Sequence, residues 1–380
     1  MIGLSSRGLA SGVDVSLVGI VRWHARSGFL GVFCSRSDFS DSSAAPVAVI
    51  RTADEPPPTE WARAGVPDVL VRSDLQPLSS GDIVALHPSG RIDTLFRVGS
   101  IHNSLFVTEQ CNSYCLMCSQ PPRNVDDIDY RLTLNARAVR LMPEDVELLG
   151  ITGGEPTLLG HRLGELLHLC RSVLPTAQLD VLSNGRLLSD ETLAARVSEA
   201  CDRRVLFTIP LYADTGIRHD YIVQSSGSFD ETIRGFYNLA TYGVRTEVRV
   251  VLHRETVPRL EQLARFVQKN LPFVEQIAFM GLEMTGLARA HEELLWIEPT
   301  EYMAPLGRAV EYLKDLGLDA SIYNMPRCVA PESLWPHLRL SISDWKREFL
   351  PTCETCRERE ACAGLFGTSS RLASSIHPLT

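Results

Sequence analysis

The sequence has 380 residues, of which 44% are apolar and 22% charged, and its formal net charge is −9. This length is enough to bury a large core and predicts two or three domains. The acidic balance disfavours a general binder of nucleic acid or of anionic membrane surfaces. No apolar run approaches the ~18 residues of a membrane helix and the first residues lack a signal-peptide pattern, so we expect a cytoplasmic protein without a membrane partner.

Residues 1–100 have the pattern of a small, mostly β domain. Short apolar runs such as SLVGIVRW, GFLGVFC, PVAVI and DVLVR are separated by turn-rich pieces, which is typical of strands joined by loops. The run GDIVALHPSGRIDTLFRV places two apolar stretches around a turn. It therefore predicts a hairpin near the end of this domain.

Between residues 101 and 324, strand-like and helical segments alternate in about six units. Such alternation is typical of a parallel sheet, open or closed into a barrel. Three polar segments directly follow strands: a cysteine loop after SLFVTEQ, GGEP after VELLGIT and SNG after AQLDVL. Because the carboxyl ends of parallel strands meet at one face, we expect these segments to converge on one mouth.

Regular periodicity fades between residues 325 and 380, where four cysteines occur: Cys328, Cys353, Cys356 and Cys362. In a cytosolic chain, clustered cysteines are typical of metal sites rather than of disulfides. We therefore predict a C-terminal extension that is held together by a metal bound to its cysteines. Three further cysteines lie outside any cluster and are interpreted as structural: Cys34, Cys170 and Cys201.

Cys111, Cys115 and Cys118 form a Cys-x3-Cys-x2-Cys loop. Three thiolates cannot close a tetrahedral zinc site by themselves. They can hold three irons of a [4Fe–4S] cluster and leave the fourth iron open to a small-molecule ligand. On spacing alone, the alternative is a zinc site completed by a distant ligand such as His102 or His161.

The order of these motifs resembles that of the radical S-adenosylmethionine (radical SAM) enzymes. Their hallmarks are Cys-x3-Cys-x2-Cys after the first barrel strand and Gly-Gly-Glu-Pro after the second. The second hallmark is present here as Gly153, Gly154, Glu155 and Pro156. The resemblance implies an α/β fold with a partial (β/α)6 TIM-like barrel over residues 101–324, which agrees with the six units counted independently.

The resemblance also implies roles for particular residues. The three cysteines of the loop would ligate a [4Fe–4S] cluster whose open iron chelates the amino and carboxylate groups of S-adenosylmethionine. The backbone of the Gly-Gly-Glu-Pro segment would meet the ammonium group, because paired glycines allow a close approach. Ser183 and Asn184 match the position of contacts with the ribose or carboxylate. Met117 stands where the family usually has an aromatic residue, and it would contact the adenine through its backbone.

The second group of cysteines resembles the C-terminal auxiliary-cluster extensions, of SPASM or twitch type, in peptide-modifying radical SAM enzymes. The tight trio Cys353-x2-Cys356-x5-Cys362 lies about twenty-five residues after Cys328. This resemblance implies a second [4Fe–4S] cluster over residues 325–380. A four-cysteine zinc site is the alternative, since an all-thiolate set suits both metals.

A closer resemblance combines VTEQCNSYCLMCSQPP, GITGGEPTLLG, VLSNGRLL, MGLEMTGLA, SISDWK and the final cysteines. Together these segments resemble the His-Xaa-Ser system radical SAM maturases. The resemblance implies a precursor peptide with His-Xaa-Ser repeats as substrate, a partner radical SAM maturase, and an electron donor such as flavodoxin or ferredoxin. Two alternatives are a radical SAM enzyme acting on a small molecule or tRNA base, and a zinc-stapled binding protein. We expect the N-terminal domain to help bind the precursor or the partner, and a packing or capping module is the alternative.

Further polar residues follow the later predicted strands. For each of them, a hydrogen-bonded structural role is favoured over a catalytic one. No catalytic side chain is assigned beyond the cluster. These residues are Tyr212, Asp214, His219, Asp220, Arg249, His253 and Glu283.

Overall fold

The computed structural model describes residues 5–23, 29–41, 44–51, 64–71, 78–340, 343, 346–370 and 374–380. Of the SISDWK motif, four positions lie outside these described residues. Within the described chain, no helix combines the length and the apolar run needed to cross a membrane. The chain divides into two compact units. Unit 1 comprises Met1–Val107, Ile128–Gly150 and His168–Ala177, and unit 2 comprises Thr108–Asp127, Ile151–Leu167 and Gln178–Thr380.

The first sheet of unit 1 closes on itself. Its order is β1-β8-β7-β3-β4-β5-β6-β2. The two edge strands, β1 and β2, are consecutive in the chain with only Gly8 between them, and this joins the two edges. The amide of Gly8 bonds the carbonyl of Gly90 at 2.8 Å. The elements are β1 (Ser5–Arg7), β2 (Leu9–Ser11), β3 (Leu17–Trp23), β4 (Phe29–Phe33), helix α1 (Arg36–Ser40), β5 (Ala48–Arg51), β6 (Asp68–Leu70), β7 (Ile83–Leu86) and β8 (Arg91–Phe96).

Apolar side chains at alternating positions of these strands form the core that the closed sheet encloses. Val21, Leu30, Val32, Ile50 and Val84 are fully buried in one cluster, as expected where β-branched and other apolar side chains alternate along strands. The predicted hairpin is the antiparallel pair β7–β8. The predicted small β-rich region is therefore confirmed.

The remaining elements alternate between strand and helix. Over residues 103–370 they are β9 (Asn103–Phe106), α2 (Ile128–Leu141), β10 (Leu148–Thr152), α3 (Arg162–Val173), β11 (Gln178–Leu182), α4 (Glu191–Ser198), β12 (Val205–Pro210), α5 (Gly216–Val223), α6 (Ser228–Thr241), β13 (Arg245–Leu252), α7 (Leu260–Asn270), β14 (Gln276–Gly281), α8 (Leu287–Ala290), α9 (Glu292–Leu295), α10 (Met303–Asp315), β15 (Asp319–Tyr323), β16 (Leu338–Arg339) and α11 (Gly367–Ser370).

Helix α2 belongs to unit 1 and is tied there to the β7–β8 hairpin by a buried histidine. The Nε2 atom of His87 lies 3.0 Å from Asp93 Oδ2. Its Nδ1 atom lies 2.7 Å from the hydroxyl of Tyr130, the third residue of α2. A buried imidazole with both nitrogens paired avoids the cost of an unsatisfied polar group.

The strands of unit 2 form a parallel sheet in which each strand from β11 to β16 pairs with the next along the chain. Strands β12 and β14 are nearly continuous apolar runs, as expected of strands covered on both faces. The predicted α/β fold with a parallel sheet is confirmed. In the described stretch 103–340, the six strands β9 to β14 are each followed by a helix, and β15 and β16 extend the sheet beyond the predicted units.

Candidate functional site

The three-cysteine loop of unit 2 is held in place by backbone hydrogen bonds. The amides of Tyr114 and Leu116 donate to the carbonyls of Val223 and Ile222, the last residues of α5, at 3.0 and 2.9 Å. Further along, the amide of Leu287 donates to the carbonyl of Cys118 at 2.8 Å. The loop is thus fixed between the end of α5 and the start of α8.

The three thiols of this loop, those of Cys111, Cys115 and Cys118, are free and half-buried. Burial raises the pKa of Cys111 to about 11, with a further contribution from the Glu155 carboxylate. Burial also raises the pKa of Cys115, to which the two other thiols of the loop add. Burial raises the pKa of Cys118 as well. In the metal-free chain these thiols therefore hold their protons at neutral pH, and metal binding would release them.

The donor set of the loop fits an iron–sulfur cluster better than a single ion. Among the described residues, no three His, Cys, Asp or Glu side chains converge closely enough to hold one metal ion. His161, named above as a fourth zinc ligand, instead lies on an exposed surface 3.8 Å from Glu165. Three thiols without a fourth ligand in the described part of the chain suit a [4Fe–4S] cluster with one open iron.

The Gly-Gly-Glu-Pro segment lies against the residues that precede the cysteine loop. The amide of Gly154 donates to the carbonyl of Thr108 at 2.7 Å, and that of Glu155 donates to Gln110 at 2.8 Å. A Cβ atom on Gly154 would overlap the carbonyl oxygen of Gln110. Glycine is therefore required here by the close approach of two backbones.

The side chain of Glu155 is 1% exposed and joins this segment to the end of β11. Its Oε1 atom accepts hydrogen bonds from the amide and hydroxyl of Thr157, at 2.9 and 2.6 Å, and from the Ser183 hydroxyl at 2.6 Å. Its Oε2 atom accepts from the amide of Asn184 at 2.7 Å. Sequence reasoning assigned a role only to its backbone. The indication of a side-chain role was that Glu155 is an acidic residue in a buried segment, where a carboxylate needs several hydrogen-bond donors.

Asn184 also connects the end of β11 to the cysteine loop, and Pro156 lies in the turn that follows Glu155. The Nδ2 atom of Asn184 donates to Asn112 Oδ1 at 2.6 Å and lies 4.0 Å from the sulfur of Cys111. Pro156 begins a 3-10 turn over residues 156–159 that Glu155 caps. The structure therefore brings Glu155, Ser183 and Asn184 together with the cysteine loop.

Arg186 also holds the cysteine loop, although sequence reasoning did not single it out. Its Nη1 atom donates to Ser113 Oγ at 3.0 Å and to the carbonyl of Asn112. Its Nε atom donates to Glu231 at 2.7 Å. The only indication in the sequence is that a positively charged residue directly follows the SNG segment, and such a side chain is usually exposed to solvent.

The side chain of Met117 is 6% exposed and packs in an apolar cluster with Tyr212, Leu282 and Met284. It therefore serves as part of the core below the loop. A contact with adenine would have to come from the backbone, as the sequence predicted, and stays a prediction.

The other polar residues after the strands make ordinary structural interactions. Asp214 pairs with Arg259 through two hydrogen bonds. Asp220 accepts from the amides of Gly227 and Phe229, at the start of α6, at 2.6 and 2.9 Å.

Two further ion pairs involve residues from the same group. Arg249 donates to the buried Glu247 at 2.7 Å. Glu283 pairs with Lys346 at 2.8 Å. Each of the group's four charged side chains is thus paired within unit 2, and their lack of a catalytic role stays a prediction.

The second group of cysteines lines one open cavity, and its members are Cys328, Cys353, Cys356 and Cys362. All four thiols are free. The sulfur of Cys362 accepts from two backbone amides, those of Arg327 and Gly364, each at 3.4 Å. A four-thiol set with amides directed at sulfur suits a [4Fe–4S] cluster. Zinc also accepts four thiolates, but in the described residues these side chains do not converge closely enough to hold a single ion.

Comparisons with known proteins agree with these motifs. Residues 105–267 match the model of the radical SAM superfamily. An uncharacterized protein of Methanocaldococcus jannaschii is 24% identical over 170 residues, and this match spans 44% of the present chain and 59% of that relative. The chain thus covers less than two thirds of the curated relative it matches.

The solved structures that align with this chain have low sequence identity to it. SuiB of Streptococcus suis, bound to its precursor peptide SuiA, aligns with 61% of this chain and 49% of its own, at 13% identity and a TM-score of 0.46. The enzyme anSMEcpe with bound AdoMet aligns with 58% of this chain and 62% of its own, at 19% identity and a TM-score of 0.46.

The matched range contains the complete cysteine loop, the Gly-Gly-Glu-Pro segment and the Ser183-Asn184 pair. These are the segments that converge in unit 2. The cysteine loop precedes the Gly-Gly-Glu-Pro segment along the chain, which is the order of the two hallmarks. Residues 105–267 of this chain therefore match the radical SAM superfamily in sequence and in the order of these segments.

Proposed function

We propose that this chain is a radical SAM enzyme that modifies a ribosomally made precursor peptide of the His-Xaa-Ser type. The observation that carries the proposal is the hydrogen-bonded connection of the cysteine loop, the Gly-Gly-Glu-Pro segment and the end of β11 through Glu155 and Asn184. When bound, the cluster and S-adenosylmethionine supply reductive cleavage that yields a 5′-deoxyadenosyl radical, which abstracts a substrate hydrogen.

In this proposal, Cys111, Cys115 and Cys118 hold the cluster. The backbone of residues 153–156 binds the ammonium group of S-adenosylmethionine, and the region of Ser183 and Asn184 binds its ribose or carboxylate. The carboxylate of Glu155 accepts four hydrogen bonds from the protein. It therefore positions these groups and is not free to act as a base.

The substrate class and the partners rest on the joint motif set of the sequence. They are a precursor peptide with His-Xaa-Ser repeats, a partner maturase, and an electron donor such as flavodoxin or ferredoxin, all in the cytoplasm. The four cysteines of residues 325–380 would hold an auxiliary [4Fe–4S] cluster. Residues 1–100 would help bind the precursor or the partner. Because the first sheet closes in its described strands, such binding would use side chains rather than a free strand edge.

The metal content tests the proposal directly. We expect about eight irons with matching sulfide per anaerobically reconstituted chain, because each [4Fe–4S] cluster holds four irons. Replacing all three cysteines of the loop by Ala should leave about four irons and abolish reductive cleavage of S-adenosylmethionine. Cys34→Ala, at an exposed thiol, is the matched control and should keep both properties. Zinc without a charge-transfer band, or 5′-deoxyadenosine formed at the wild-type rate by the triple variant, would contradict the proposal.

The substrate is tested separately by mass spectrometry of a His-Xaa-Ser precursor peptide co-expressed with this chain and its partner maturase. We expect a mass change that is lost when the triple cysteine variant replaces the wild-type chain. An unmodified peptide, together with active cleavage of S-adenosylmethionine, would show that the enzyme acts on another substrate.

A further inference from the structure

Residues 374–380 cover the four-cysteine cavity. Ile376 and His377 line this cavity. The backbone amide of Leu379 donates to the sulfur of Cys356 at 3.4 Å. This segment thus directs a backbone amide at one of the four sulfurs.

Both ends of the segment are anchored to other parts of unit 2. At its start, Glu298 Oε1 accepts from the amide and hydroxyl of Ser375, each at 3.1 Å. At its end, Arg357 donates its amide to the carbonyl of Leu379 and its guanidinium to that of Thr380, both at 3.0 Å. Arg357 directly follows Cys356 in the chain, so this anchor fixes the segment next to the sulfur it serves.

We propose that residues 374–380 belong to the four-cysteine site, in which the amide of Leu379 raises the reduction potential of the auxiliary cluster. This inference rests on the proposed function, since it requires that the four cysteines hold a [4Fe–4S] cluster. Hydrogen bonds to the ligating sulfurs are one of the factors that set the potential of such clusters. An amide dipole directed at a thiolate stabilises the more negative, reduced form, so this amide raises the potential.

The test removes this amide hydrogen. Leu379→Pro deletes the donor to Cys356 and Leu379→Ala keeps it, so the pair differs in the backbone N–H. The variants are made in the background in which Cys111, Cys115 and Cys118 are replaced by Ala, so that the auxiliary cluster is the only one present. The readouts are iron per chain and the midpoint potential from an EPR-monitored redox titration.

We expect about four irons per chain in both variants and a more negative midpoint potential in Leu379→Pro than in Leu379→Ala. Equal potentials in the two variants, with iron retained, would overturn the inference and leave the proposed auxiliary cluster standing. A background protein that binds zinc or no metal would overturn the auxiliary cluster and the inference together. The iron content of the background protein therefore separates the two failures.

Discussion

Glu155 shows how much of the candidate site depends on one side chain. Its two carboxylate oxygens accept four hydrogen bonds, two from Thr157, directly after the Gly-Gly-Glu-Pro segment, and two from Ser183 and Asn184, directly after β11. A buried carboxylate is stable only when it is paired in this way. The same side chain contributes to the raised pKa of Cys111, so its charge also acts on the cysteine loop.

We predict that Glu155→Gln lowers the free energy of unfolding by about 1–3 kcal/mol, because the new NH₂ group meets a donor in either orientation. Glu165→Gln, at an exposed position of α3, is the matched control and should change stability by less than about 0.5 kcal/mol. Urea unfolding of both variants measures the difference. Equal stability of the two variants would show that the carboxylate is not needed to hold these segments together.

At the scale of elements, α6 is packed unusually closely on the residues that follow β11. The Thr232 hydroxyl donates to the carbonyl of Asn184 at 3.1 Å. One turn further along α6, a Cβ atom on Gly235 would overlap the carbonyl oxygen of Gly185. The helix therefore supports the backbone that carries Asn184, and the missing side chain of Gly235 is what allows the approach.

We predict opposite effects for alanine at two helical glycines. Alanine is favoured over glycine in a helix by about 1 kcal/mol, and Gly307 of α10 has no atom within 4 Å of the added Cβ. Gly307→Ala should therefore raise the free energy of unfolding by up to about 1 kcal/mol. Gly235→Ala should lower it by about 1–3 kcal/mol, because the Cβ forces a shift of the backbone. The same urea titration tests both, and a stabilised Gly235→Ala would rule out the close packing of α6.

The elements that the sequence predicted are those with strong local signals. Apolar runs ending in polar turns indicated the strands, and their order placed the three site segments at strand ends. Helix α2 was not indicated, since its buried Leu134, Ala138 and Val139 alternate with many polar residues and become informative only once the helix packs in unit 1. Strand β15, with Asp319 and Ser321, was missed because its pairing with β14, rather than its composition, makes it a strand.

Contacts between distant residues could not be predicted from local pattern at all. Arg186 reaches Asn112 and Ser113 across more than seventy positions of sequence. Nothing in the neighbouring residues distinguishes it from a solvated arginine. The partners of Glu155 are likewise defined only when β10 and β11 bring their ends together.

At the scale of the whole molecule, two buried histidines couple the stability of the chain to pH. His219 is 2% exposed and His253 is 0% exposed. Burial lowers the pKa of His219 to about 4 and that of His253 to about 3. The Nδ1 atom of His253 accepts from the amide of Glu255 at 3.2 Å, and its Nε2 atom is buried without a hydrogen-bond partner in the described residues. Both rings are therefore neutral in the folded chain above about pH 5.

We predict that the free energy of unfolding falls as the pH is lowered from about 7 to about 5. In this window the unfolded chain takes up protons on both histidines, whose unfolded pKa is about 6.5, whereas the folded chain does not, so stability rises with pH. Each histidine should contribute on the order of 2 kcal/mol to the loss. His253→Gln should reduce the pH dependence by about one histidine's share, and His168→Gln, at an exposed position, should leave it unchanged. Urea unfolding of each variant at the two pH values measures this dependence. All variants are compared in the same metal state, so that any acid sensitivity of a bound cluster affects them equally. An unchanged slope in His253→Gln would mean that this ring is accessible to protons in the folded chain, and that its position in unit 2 is less closed than its burial indicates.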